Sequence, residues 1–306
     1  MTKTKASLIL LLTAAIWGST FTDTKCTVDV FSPYLIIALR FTIAAAVLSV
    51  PVWRRRRTLS VGYWKAGFWM GLTLCLAYLS QTLGLALDTS PGKSAFLTAV
   101  YCVLTPFLYW LPAKQRPRWP HMAAALLCLA GIGLISLSGG AGLTAGDAVT
   151  LASGVFTALN IVSIAMGSQG RDPLLLTWIQ MCVVAVFAWI SVWLGGGLPT
   201  GFSWPALGGA VYLGLFATAL CLYLQTVGLK YAGASVGAVL LSLEAVFAVL
   251  FSILFYRETF NLRTGIGFLL VFGAILLAQC DPGRRADSAP VQPQEGSESI
   301  PQEEQP

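Results

Sequence analysis

Two charged side chains stand where the sequence leaves no water to solvate them. Glu244 lies in the run GASVGAVLLSLEAVFAVLF, between Leu243 and Ala245, and Arg40 lies in SPYLIIALRF. An ionisable group so deep in apolar sequence marks a substrate or ion pathway by default, because a membrane interior holds such groups where they are paired or used. Tyr101, Gln180, Gln81, Gln225 and Trp17 are the other side chains placed to line a polar path. Hydrolytic or redox chemistry is poorly served. His121 is the single histidine, so a histidine-rich metal site or a Ser-His-Asp triad within the apolar segments is excluded. The cysteines at 26, 75, 102, 128, 182, 221 and 280 form no C-x-x-C pair and read as small packing residues, not as a disulfide framework or a zinc site. No phosphate-cradling G-x-x-x-x-G-K-[ST] loop occurs, so neither ATP nor any other cofactor is called for.

The elements that must position these residues follow from composition. Only 10% of the 306 residues are charged and 56% are hydrophobic, against roughly 25% charged in an average soluble domain. One soluble core could not hide so much apolar sequence, since single cores stop growing near about 250 to 300 residues. The fold class expected is an all-α polytopic membrane protein. Its ten apolar segments run over 6–22, 34–53, 63–87, 94–112, 121–138, 147–166, 174–194, 205–229, 234–256 and 262–280, each close to the roughly 20 residues that cross a bilayer. The first resembles a signal peptide in its Lys3 and Lys5 and short apolar core, but it has a counterpart in the second half and is kept as a span.

The net charge of +6 comes from basic residues gathered between spans, not from a basic-aromatic reading face, so nucleic acid is not an expected partner. With the N-terminus inside, fourteen of the 19 Lys and Arg fall on the inner side, Arg54 to Arg57 prominent among them, and Lys25, Lys93, Arg257 and Arg263 fall outside. That bias predicts a cytoplasmic-membrane protein with both termini cytoplasmic. Trp53, Trp64, Trp110, Trp119, Trp193 and Trp204 near span ends fit an interfacial belt. Residues 281–306, rich in Pro, Gln, Ser and Glu, read as a disordered cytoplasmic tail.

The chain also repeats itself. Gln81-Thr82-Leu83-Gly84-Leu85 returns as Gln225-Thr226-Val227-Gly228-Leu229, 144 positions on, and residues 32–41 match residues 172–181. Residues 90–108 lie over residues 233–251 with one residue slipped, which sets Tyr101 opposite Glu244, while Gln180 falls opposite Arg40. Residues 1–139 and 140–280 are therefore expected as two five-helix units. Five is odd, so the second unit enters the membrane from the other side and the repeat is inverted, an arrangement that places a binding site at the interface of the halves near mid-membrane. Gly67/Gly71, Gly233/Gly237 and Ala130 to Gly133 offer smooth faces for internal packing, a homodimer contact being the other use of such faces.

Trp17-Gly18-Ser19, Leu39-Arg40-Phe41, SPGKSAFLTAVYCVLTP (90–106), Gly146-Asp147, SLEAVF (242–247) and Arg257-Glu258 together resemble the EamA group of the drug/metabolite transporter superfamily, over residues 1 to about 280. The resemblance implies a ten-helix carrier of amino acids or other small metabolites, with inverted halves and an exporting or exchanging activity. Where that group has proline after the glutamate this chain has Ala245, so the residue that would kink the helix there is absent.

The function expected is thus secondary transport, with export favoured by the resemblance. A membrane-embedded enzyme or a receptor or assembly protein is the alternative, the first lacking a catalytic constellation and the second giving no reason for duplication. By rise per residue Arg40 lies about 9 Å below the outer edge and Glu244 about 15 Å above the inner one, which leaves them about 6 Å apart in depth in a core of about 30 Å. One charge of each sign would suit the ammonium and carboxylate of an amino acid. Alternatively, Arg40 snorkels to the headgroups and Glu244 is a hydrogen-bonded packing residue, with the site nearer Trp17, Gln81 and Gln225. Glu244 is also the one group placed to carry a proton.

Overall fold

A computed structural model describes residues 1–28, 30–114, 119–137, 143–196, 204–257 and 261–277. The tail expected over 281–306, the inner-side Arg116, Arg118, Arg284 and Arg285, and Glu258 lie outside these residues. All regular structure among the described residues is helical. Eight helices are long and apolar enough to cross a membrane: span 1 (Thr4–Val28), span 2 (Pro33–Trp53), span 3 (Val61–Ala86), span 4 (Pro91–Ala113), span 6 (Ala145–Gly167), span 7 (Pro173–Gly195), span 8 (Trp204–Ala232) and span 9 (Ala234–Phe255). The shorter apolar helices Trp119–Leu137 and Leu262–Leu277 are spans 5 and 10, so the ten expected crossings are present.

Local chemistry sets the starts. Pro33 and Pro173 open their helices where a missing N–H costs nothing, and Ser32 and Asp172 before them accept from the backbone of Leu35 and Leu174. Thr144 and Asp147 form a reciprocal capping box at span 6. Spans 8 and 9 are joined through Gly233 alone, at φ +81°, a conformation that costs a side-chain-bearing residue most. Gly233 is therefore a turn and not half of a packing pair, whereas Gly67 and Gly71 do pack, against Ile179 and Val183 of span 7.

The ten helices obey a two-fold relation in which spans 1 to 5 take the places of spans 6 to 10. Span 3 packs along span 6 as span 8 packs along span 1, spans 2 and 7 pair with each other, and so do spans 5 and 10. Glycines make the equivalent contacts at the two faces of the molecule. Near the end of span 3 a Cβ on Gly84 would strike the Thr150 side chain of span 6, and near the end of span 8 a Cβ on Gly228 would strike Leu10 of span 1. The repeated QT(L/V)GL word is thus a packing device, used once at each face.

Three departures from a regular α-helix lie between those contacts. Span 4 breaks at Ala99 and Val100, where Cys102 and Val103 donate three residues back to Ala99 and Val100. Span 9 breaks at Leu243, to which Val246 donates in the same 3₁₀ fashion. Absence of the proline at 245 has not straightened it. Tyr101 and Glu244 each stand first after the break, as their alignment required. The third departure is a π-helical stretch, Leu213–Leu220, inside span 8, closed by Cys221 donating five residues back to Phe216.

That stretch coincides with a second slip between the repeats, distinct from the one that follows the QT(L/V)GL words. Gly71 meets Val183 and the Gln180 carbonyl as Gly214 meets Ile43 and the Arg40 carbonyl, a spacing of 143, while Gly84 and Gly228 are 144 apart. One residue has therefore been added between 214 and 228, and a helix absorbs a single insertion by widening one turn. Gly84→Ala and Gly228→Ala are expected to lower stability by about 1 to 3 kcal/mol through overpacking. Gly133→Ala, whose Cβ would meet open space, serves as control. Thermal unfolding of the three purified variants in detergent checks this.

Candidate functional site

Between the two glycine contacts lies a narrow crevice, walled by spans 1, 3, 4, 6, 8 and 9. Both halves of the repeat therefore contribute to it. Glu244, Tyr101, Trp17, Gln81 and Gln225 all line it, so five of the seven residues expected from sequence meet there. Span 9 can bring Glu244 this close to span 1 because Gly18 leaves no side chain in the way; a Cβ there would strike Phe247 and crowd the Glu244 carbonyl. Glu244 is 5% exposed, and Tyr101, its repeat counterpart, faces it with a hydroxyl bonded to no other group.

The π stretch positions the opposite wall. Trp17 donates its indole N–H to the Ala217 carbonyl at 2.7 Å, which turns its ring towards the crevice. Ser19, the last residue of the Trp-Gly-Ser word, shares a 2.7 Å hydrogen bond with Tyr212 of span 8. The word has thus one residue for the crevice, one for close approach and one for anchoring.

Arg40 and Gln180 do not reach the crevice. Arg40 does not snorkel either: it is 2% exposed, donates from Nε to Thr218 in the π stretch at 2.8 Å, and sets its guanidinium 4.6 Å from the centre of the Tyr78 ring. Phe41 stands edge-on to the same ring, 5.1 Å away. Tyr78, not Arg40, presents at the crevice wall. The expected Arg40 and Glu244 pair is therefore not formed directly. Gln180 is fully buried on span 7, its amide making no hydrogen bond.

Several polar residues stand outside the sequence expectations. Span 1 continues to Val28 instead of ending near residue 22, and carries Asp23 within electrostatic reach of Arg40. It also carries Lys25, which charge bias assigns to an outer loop but which is buried against the Leu85 carbonyl and Asp88, at 2.9 and 3.0 Å. Asn160 of span 6 lines the crevice and donates both amide hydrogens to span 3, at Met70 O and Thr73 Oγ1. The signal that singles out Gln180, a lone amide inside an apolar run, would also have found Asn160. Lys93 of span 4 bonds Asp147 of span 6 at 2.6 Å on the face opposite the N-terminus, an ion pair between the two halves that no spacing rule foretells.

Comparison with known proteins agrees with this architecture. The model of the EamA-like transporter family matches twice, over residues 4–137 and 144–279. The chain belongs to the EamA-like transporter family. It is 32% identical to an uncharacterized transporter of Archaeoglobus fulgidus over 278 residues, covering 89% of this chain and 85% of that one. It is 25% identical to the uncharacterized transporter YwfM of Bacillus subtilis over 288 residues, covering 91% and 95%. A solved crystal structure superposes with a TM-score of 0.69 at 20% identity, covering 93% of this chain and 99% of the other, which is a likeness of fold. This EamA-like protein is accordingly a multi-pass membrane transporter built from two repeats.

In this EamA-like transporter the buried Arg40 depends on Thr218. Thr218→Val keeps the shape and removes the acceptor, and is expected to cost about 1 to 3 kcal/mol as the donor loses its partner. Thermal unfolding measures it, and Thr218→Ser is expected to recover most of the loss.

Proposed function

We propose that this protein is a secondary transporter that exports small organic metabolites, amino acids among them, across the cytoplasmic membrane. The observation that carries the proposal is the crevice itself: a polar, mid-span cleft between two inverted halves, with one carboxylate, Glu244, at its wall. Such a cleft serves alternating access when one half rocks against the other about a fixed site. The Gly84 and Gly228 contacts lie on either side of it and are the places where the halves must part. The Lys93 and Asp147 ion pair joins the two halves towards the face opposite the N-terminus. The bias of Lys and Arg supports placing both termini in the cytoplasm. Export rests on the family resemblance.

The test is counterflow into liposomes containing the purified full-length protein, with a panel of labelled amino acids and small metabolites. Uptake above protein-free liposomes for at least one compound is expected; a silent panel sinks the reading. Overproduction in a bacterial host should raise tolerance to toxic amino-acid analogues, and heightened sensitivity would reverse the direction. Flux through Glu244→Gln is expected to lose its dependence on a pH gradient, and retained dependence removes the proton-carrying role from Glu244.

A further inference from the structure

Several of the crevice's hydrogen-bond donors are already committed. Both amide hydrogens of Asn160 go to Met70 and Thr73, which leaves the Asn160 side-chain oxygen as its group for a ligand. The Trp17 N–H is held by Ala217, and the Thr20 hydroxyl donates to the Trp17 carbonyl. Ser153 gives its hydrogen to Thr150, so Thr98 must give its own to Ser153, and Thr98 then accepts from Gln81 Nε2. Arg40, which is not part of the crevice lining, donates Nε to Thr218 and stands against the Tyr78 ring, its Nη2 buried without a partner among the described residues.

The acceptors, by contrast, keep capacity to spare. The Gln225 side-chain oxygen is buried without a partner among the described residues, and Glu244, with the Tyr101 hydroxyl beside it, lines the same space as Asn160. Trp17 and Phe21 complete that wall, and an aromatic ring can attract a cation. Leu74, Ala77, Ile161 and Leu241 make the rest of the lining apolar.

We infer that this crevice recognises the protonated amine of its substrate, seating an organic ammonium between Glu244, Gln225 and Asn160 with its apolar body against the aliphatic wall, and makes no demand for a carboxylate. An ammonium carries three donors and no acceptor, the complement of the wall described. A carboxylate entering beside Glu244 would meet another carboxylate. The inference rests on the transporter reading and narrows its substrate class to amines, with or without an acid group.

Three probes separate the two ends of the ligand: leucine, its decarboxylated amine isoamylamine, and its deaminated acid 4-methylpentanoate. Competition against leucine counterflow, and thermal shift of the purified full-length protein, are measured for each. Isoamylamine is expected to bind within about threefold of leucine, and 4-methylpentanoate about 100-fold more weakly, the worth of a charge-assisted hydrogen-bonding group. In Glu244→Gln the advantage of the amine over the acid should collapse, while Glu244→Asp keeps part of it. Should Glu244→Gln fail to fold, the wild-type series still decides. Equal competition by the acid, or binding by none of the three probes, overturns the inference and leaves transport of other compounds standing. Binding that requires the carboxylate and is lost in Arg40→Gln overturns it as well, by placing Arg40 at the ligand. Only a silent metabolite panel in the preceding experiment removes the transporter reading itself.

Discussion

Within hydrocarbon an unpaired backbone amide costs several kcal/mol, and the rest of this structure depends on how that cost is met wherever a helix departs from regularity. The departures at Ala99 and Val100, at Leu243 and along Leu213–Leu220 are closed by three-residue or five-residue hydrogen bonds instead of four-residue ones. The first two adjoin the crevice residues Tyr101 and Glu244, and the third offers its Ala217 carbonyl to Trp17 of the crevice wall. Irregular backbone at membrane depth is tolerated where its polar groups are met in another way, and two further π-helical turns, Val192–Gly196 and Ser252–Tyr256, lie at the ends of spans 7 and 9. Each of the first three departures also places a functional group. The first presents Tyr101, the second presents Glu244, and the widened turn of span 8 offers a carbonyl to Trp17 and a hydroxyl to Arg40.

The inverted repeat sets what is shared and what is not. Packing is shared, since Gly84 and Gly228 serve opposite faces and Gly71 and Gly214 meet equivalent partners. Chemistry is not. Tyr101 answers Glu244, and Gln180 answers Arg40, so these two buried charges come from different halves and different positions. The inserted residue in span 8 belongs with this asymmetry, because only the second half has the widened turn that holds Arg40 and Trp17. A duplicated scaffold thus yields a one-sided site by changing a few side chains and one turn.

Charge inside the bundle is kept in separate compartments. Arg40 is held by Thr218 and by the Tyr78 ring, with Asp23 on the same side, while Glu244 faces Tyr101 across the crevice. Lys25 with Asp88 and Lys93 with Asp147 lie towards the face opposite the N-terminus, one pair within the first half and one across the halves. A buried charge whose partner is removed is strongly destabilising, so any motion that parts Lys93 from Asp147 requires water or another group to replace the lost contact.

The sequence alone determined the class of protein, because ten apolar runs with few charges allow no soluble core, and it determined the duplication, because the QT(L/V)GL words and the proline-led second spans recur at nearly constant spacing. It also led to most of the site. Glu244 stands out as an acid without polar neighbours, and Tyr101 follows from it by alignment. Tertiary structure decided the rest, for reasons a one-dimensional reading cannot contain. Depth along two helices places Arg40 near Glu244, but rotation about each helix axis turns Arg40 towards Thr218 and Tyr78 and leaves it outside the crevice. Lys25 has the sequence context of a loop charge, yet Asp88 and the Leu85 carbonyl bury it. The absent proline at 245 argues for a straight helix, yet span 9 breaks one residue before Glu244, because packing across Gly18 and not the local sequence sets its path. Which donors of the crevice are already spent depends on contacts between helices far apart in the chain, and only the folded arrangement of spans 1, 3, 6 and 8 could decide it.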